Sequence, residues 1–152
     1  MWAALMLSDI AQRVRHAVYR SYVEGGIPQS AMLARQLHVP DQAVRAALQE
    51  LHAAHAIVLD PRTREPWMAL PFSSAPTAFS VEGGGRSWFA SCAWDAFGIP
   101  ILAGVDAVIS TTCPDCDGKI VYRVEQRSLI DAHGVVHFAV PAKQWWENIG
   151  YT

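Results

Sequence analysis

The sequence predicts an α+β chain, with a winged-helix-like set of three short helices ahead of a small mixed or antiparallel β-sheet that holds a central helix. Three observations point there. Apolar residues recur at helical spacing from Ile10 to Leu51. Alternating runs rich in Val, Ile and Thr take over after Asp106. The composition, 51% apolar and 17% charged over 152 residues, supports a buried core and excludes disorder.

Taken in order, Ser8 caps a first helix with Ile10, Val14, Ala17 and Val18 on one face, and Gly25-Gly26 ends it. Ser30 to Leu37 makes a second helix with Leu33 and Leu37 inward, and His38-Val39-Pro40 is the turn. Asp41 is the expected N-cap of a third helix carrying Val44, Ala47, Leu48 and Leu51. Ala56 to Leu59 and Trp67 to Pro71 read as a hairpin around the turn from Asp60 to Pro66. Phe72 to Thr77 reads as a linker, dividing the chain into a winged-helix-like part, 1–72, and a second part, 73–152. In the second part Ala78 to Val81 is a strand, and a helix starts near Ser87 and is bent or ended by Pro100. Asp106 to Thr112 and Lys119 to Glu125 form a hairpin, Val135 to Val140 a further strand, and Ala142 to Ile149 a short terminal helix.

Charge and motif content narrow the function classes. The formal net charge is -2, a poor footprint for a general nucleic-acid binder. Residues 1–72 hold seven arginines, no lysine and six acids, and the third helix offers Arg45 alone. The expectation is a helical packing module, with DNA as a less favoured partner. No apolar run reaches the roughly 18 residues of a membrane span. The first residues carry no signal-peptide pattern, and three cysteines are an odd count for a disulfide framework. The expectation is a cytoplasmic chain with reduced thiols.

Cys92 and Asp95 are spaced to share a helical face, and a helix N-terminus favours thiolate. A thiolate attacks soft electrophiles or metals, and a carboxylic acid passes a proton. The same spacing also fits a buried, inert cysteine beside an exposed acid. Cys113 and Cys116 form C-P-D-C, half of a zinc knuckle, a dithiol for a soft ion or an ordinary turn. The histidines, His16, His38, His52, His55, His133 and His137, are scattered and read as structural. Gly83-Gly84-Gly85 reads as a flexible mouth of a site, and Trp88, Phe89 and Trp94 as walls of a pocket beside Cys92.

The segment from Trp88 to Pro100, containing Cys92-Ala93-Trp94-Asp95 and Pro100, resembles the C-A-x-D-x-x-x-x-P stretch of the organomercurial (alkylmercury) lyases. Val108 to Cys113 lies at that family's distance downstream, and Val140-Pro141 with Trp145 to Thr152 is a third match. The resemblance implies protonolysis of carbon–mercury bonds, giving hydrocarbon and Hg(II). Cys92 would bind mercury, and Asp95 would relay the proton and help hold the metal. Cys113 would match a structural cysteine. No resident cofactor is implied. Small-molecule thiols are co-reactants, and a mercuric reductase is the expected acceptor of Hg(II).

The family's second catalytic cysteine is expected just after Thr152, where the sequence ends. The expectation is a shortened member whose turnover is slow or lost, with an exposed sheet edge, and with Cys116 as a substitute metal ligand only if its turn lies against Cys92. Two other functions stay open: a thiol-based mercury or soft-metal binding protein without turnover, and a winged-helix metal-sensing regulator.

Overall fold

The structure, a computed structural model, describes residues 7–130, 133–138 and 140–150. Helices α1 (Asp9–Val23), α2 (Ser30–Leu37) and α3 (Asp41–Ala53) follow the expected periodicity closely. Ser8 caps α1, its hydroxyl accepting from the Ala11 N–H at 3.2 Å. The Glu50 carboxylate on α3 accepts from the Ser8 N–H and hydroxyl, both at 2.6 Å, which locks α1 against α3 and holds the Glu50 carboxyl below the usual carboxylate range. His38 ends α2 in the left-handed conformation. Asp41 is not the cap of α3; Pro40 holds that position and Asp41 is the first helical residue. Its carboxylate turns instead to Arg45, one turn on, at 2.7 Å.

Among the described residues eight strands form one sheet, in the order β1-β2-β3-β5-β4-β6-β7-β8, with every pairing antiparallel. They are β1 (Val58–Leu59), β2 (Pro66–Ala69), β3 (Phe72–Ser73), β4 (Ser80–Gly83), β5 (Arg86–Ala90), β6 (Ala107–Thr112), β7 (Lys119–Glu125) and β8 (Ser128–Ile130). Phe72-Ser73 is therefore not linker. It is the strand that joins β2 to β5, and Phe72 is fully buried and stacked on Tyr22 with ring centroids 5.1 Å apart.

Arg86 to Ala90 is strand rather than helix, and helix α4 (Ala93–Ala103) starts six residues later than the sequence suggested. The Gly84-Gly85 pair explains this. Both residues have positive φ, 57° and 72°, the backbone of a tight two-residue hairpin turn that joins β4 to β5. The glycine run is thus a strand connection, not the mouth of a site. Helix α4 continues through Pro100 to Ala103 and buries Ala96, Ile99 and Pro100 against the sheet. The expected strand at Val135–Val140 is absent among its described residues, Ala139 lying outside them; β8 takes the third place in that sheet region instead. The terminal helix is a 3₁₀ helix, Ala142–Glu147.

Polar ties bind the helices to the sheet. Arg86 donates to the Val23 carbonyl and the Trp88 indole to the Tyr22 carbonyl, each at 2.6 Å. The Val23 carbonyl is one that the end of α1 leaves open, while the Tyr22 carbonyl also accepts from the Gly25 N–H at 2.8 Å. Glu65, before β2, accepts from the Ser30 N–H at 2.7 Å and hydroxyl at 2.8 Å, closing the start of α2.

Candidate active site

The junction between β5 and α4 is pinned from three sides. The Thr77 hydroxyl donates to the Ala90 carbonyl at 2.6 Å, the Ser91 N–H to the Pro71 carbonyl at 3.3 Å, and the Ser91 hydroxyl to the Phe72 carbonyl at 3.4 Å. The next residue, Cys92, is the N-cap of α4 with extended backbone, φ -151° and ψ 179°. An N-cap side chain reaches the N–H three residues on, and here Cys92 Sγ accepts from the Asp95 N–H at 3.5 Å. The Asp95 side chain reaches back, and the Cys92 thiol donates to its Oδ2 at 3.3 Å. A reciprocal cap of this kind fixes both groups at one helix end.

Burial dominates the titration of both. It pushes the Cys92 thiol up to about 11, outweighing the opposing Asp95 N–H bond, and the Asp95 charge adds to the rise. Burial also raises the Asp95 carboxyl, against the thiol hydrogen bond that lowers it. The thiolate expected from the helix dipole is therefore not the resting state at neutral pH: Cys92 rests as a thiol that donates to the Asp95 carboxyl group.

Cys92 faces a cavity of about 570 Å³ whose walls include Trp67, Phe79, Val136, His137, Phe138 and Trp145. A smaller hollow of about 50 Å³ shares Cys92, Phe138 and Trp145 and adds Asp95, Leu70 and Trp94. Trp94 is thus a wall, though 70% exposed. Trp88 is not: it is 5% exposed, points to α1 and carries Arg86 over its ring. Phe89 lines neither hollow. Sequence reasoning missed Trp67, Phe79 and Phe138. Trp145 was visible only through the Trp-Trp segment, where its indole donates to the Val140 carbonyl at 2.8 Å.

The remaining candidates lie elsewhere. Cys113 and Cys116 flank the β6–β7 turn, Cys116 exposed, and neither lines a hollow with Cys92. The Asp115 and Cys116 N–H groups, with the Cys116 thiol, bond the Cys113 sulfur and hold its thiol below the usual range. Among the described residues no three His, Cys, Asp or Glu side chains cluster to hold a metal ion, so Cys92, Asp95 and Cys116 do not form a joint site. Arg45 is paired with Asp41 and, at 3.2 Å, Glu65. His52 bonds the Ile57 carbonyl, and His55 stacks on Trp146.

A family model for alkylmercury lyase matches residues 72–152, which hold Cys92, Asp95 and the cavity. The chain belongs to the alkylmercury lyase family. Solved structures agree on the fold: a crystal structure of the mercury-bound form of MerB2 aligns with TM-score 0.67 at 22% identity, over 82% of this chain and 60% of that one. The chain therefore spans about 60% of the length of that protein. Among curated proteins none matches. No helix among the described residues is long and apolar enough to cross a membrane.

Proposed function

We propose that this chain cleaves carbon–mercury bonds by protonolysis, with Cys92 as the mercury ligand and Asp95 as the proton carrier. The observation that carries the reading is the 3.3 Å hydrogen bond from the Cys92 thiol to the Asp95 carboxylate at the edge of an aromatic-walled cavity. A thiol raised to about 11 is protonated at neutral pH, so mercury must displace its proton. Asp95 is the acceptor already in place. The organomercury cation, R–Hg⁺, bonds the sulfur as the proton moves to Asp95. The protonated Asp95 then donates to the carbon, the carbon–mercury bond breaks, and R–H leaves. The carboxylate is restored, and Hg(II) stays on sulfur until small-molecule thiols remove it.

Thiolate ligation suits mercury because both are soft, and the proton shuttle needs no electron transfer. The burial that raises Asp95 makes it a better proton holder between the two steps. The aromatic walls would take the organic group. A cytoplasmic setting with abundant thiols and a mercuric reductase to accept Hg(II) completes the reading. The paired Arg45 argues against a DNA-reading regulator, since the one arginine of α3 is already held by two carboxylates.

The test is single-turnover hydrocarbon release from an arylmercury compound with excess small thiol. Release by the intact chain, lost in Cys92→Ala, supports the reading. Stoichiometric mercury binding without release favours a binding protein, and release unaffected by Cys92→Ala removes Cys92 from the chemistry.

A further inference from the structure

We propose that His55 is a positioning residue for the Cys92 cavity: its ring, stacked on Trp146, holds the segment 140–150 across the cavity as a strap anchored to the helical part. Four residues of that segment, Val140, Trp145, Ile149 and Gly150, line the cavity that Cys92 faces. Trp145 and Ile149 also line the smaller hollow that holds Asp95. Whatever sets the place of this segment therefore sets one wall of both hollows.

Ring contacts, rather than a core, fasten the segment. Its 3₁₀ helix, Ala142–Glu147, buries none of its residues, and 3₁₀ hydrogen bonds have poorer geometry than those of an α-helix. The Trp145 indole donates to the Val140 carbonyl at 2.8 Å, and its ring lies 5.5 Å from that of Phe138. Both contacts stay within the returning chain. Gly150 lies against Trp67, where a Cβ would come within 2.7 Å of the indole. Trp146 stacks on His55 with ring centroids 4.1 Å apart and planes 6° apart. Of these contacts, the His55 stack is the one that reaches the end of α3. A segment with so little buried surface opens locally at small cost, so the loss of one anchor shifts its position.

The backbone at His55 points the same way. His55 follows the end of α3 at φ 59°, a left-handed conformation that glycine adopts freely and other residues adopt at a cost. Its N–H donates to the His52 carbonyl at 3.0 Å, a bond that glycine would make equally well. The side chain is exposed, so burial against α3 does not account for a histidine here. The flat ring laid on Trp146 does. What closure does for protonolysis, enclosing the organic group beside Cys92, rests on the lyase reading; the anchoring itself does not.

The experiment measures the rate at which N-phenylmaleimide, a bulky thiol reagent, modifies Cys92 in the full reduced chain, by peptide-resolved mass spectrometry at one mildly alkaline pH. Cys113, which shares neither hollow with Cys92, is the internal reference. His55→Gly removes the ring while relieving the left-handed backbone, so its thermal midpoint should not fall. In that variant Cys92 is expected to react about two- to tenfold faster, the range an aromatic pair is worth, with Cys113 unchanged. His55→Phe keeps a flat ring for the stack and is expected to return Cys92 to the rate of the unaltered chain. An unchanged Cys92 rate in His55→Gly overturns the proposal. So does a rise that Cys113 shares, which means general loosening, or one that His55→Phe fails to reverse. Neither mercury nor hydrocarbon release enters this test, so its failure is distinct from a failure of the lyase reading.

Discussion

Cys92 and Asp95 are three residues apart, and that spacing alone was legible in the sequence. It left open whether the pair is reactive or inert. The structure adds the cap geometry and the burial, and burial reverses the expected charge of the sulfur. The sign has a direct consequence for reactivity with an ordinary alkylating agent, which needs thiolate. With the thiol raised to about 11, alkylation of Cys92 should be slow at pH 7 and climb about tenfold per pH unit up to pH 10 without levelling. Peptide-resolved mass spectrometry separates it from Cys113, whose thiol is held low and should react sooner. A plateau for Cys92 near neutral pH would mean the helix N-terminus outweighs burial after all.

At the scale of the element, the three helices were readable because caps and a 3.6-residue period agree, as at Val44, Ala47, Leu48 and Leu51, all buried on α3. Strand β5 was not, because Trp88 to Phe97 is mostly apolar, broken by Ser91 and Asp95 alone, and so shows neither a strand nor a helix period clearly. The signal that could have placed it was Gly84-Gly85, a hairpin dipeptide. The carboxylate clamp of Glu65 on the start of α2 was also invisible, since it joins residues 35 apart. Ser30 is fully buried, so Glu65→Ala would strand its N–H and hydroxyl away from water. Chemical denaturation should show a loss of about 1–3 kcal/mol, with Glu65→Gln losing less because its amide oxygen still accepts.

For the whole molecule, the resemblance pointed to the right family, while the division of the chain at residue 72 hid how the parts connect. One sheet crosses that position. Phe72 pairs with Ala69 on one side and Ala90 on the other, two residues before Cys92, and stacks on Tyr22 of α1. A two-residue strand has too little pattern to be recognised, and a Phe-Ser-Ser-Ala-Pro-Thr run looks like a connection. Phe72→Ala should therefore cost about 3–5 kcal/mol and lower the thermal transition seen by helix and aromatic signals together. Two separated transitions would show that the helical part and the sheet fold independently. The cavity walls were the least legible part of the site, because Trp67, Phe79, Phe138 and Trp145 come from four separate stretches that only the sheet and the return of the chain bring to Cys92.

In the proposed reaction the labour is divided, with Cys92 binding mercury and Asp95 delivering the proton. Asp95→Asn separates the two steps, since the amide keeps the size of the side chain and cannot pass the proton. The decisive measurement is intact-chain mass spectrometry of Asp95→Asn after exposure to an arylmercury compound, with hydrocarbon release followed in parallel. The expected result is an organomercury adduct with its carbon–mercury bond whole, mapped to Cys92, and release slowed by about 10²–10⁴-fold. Hydrocarbon release at the rate of the unaltered chain would contradict it.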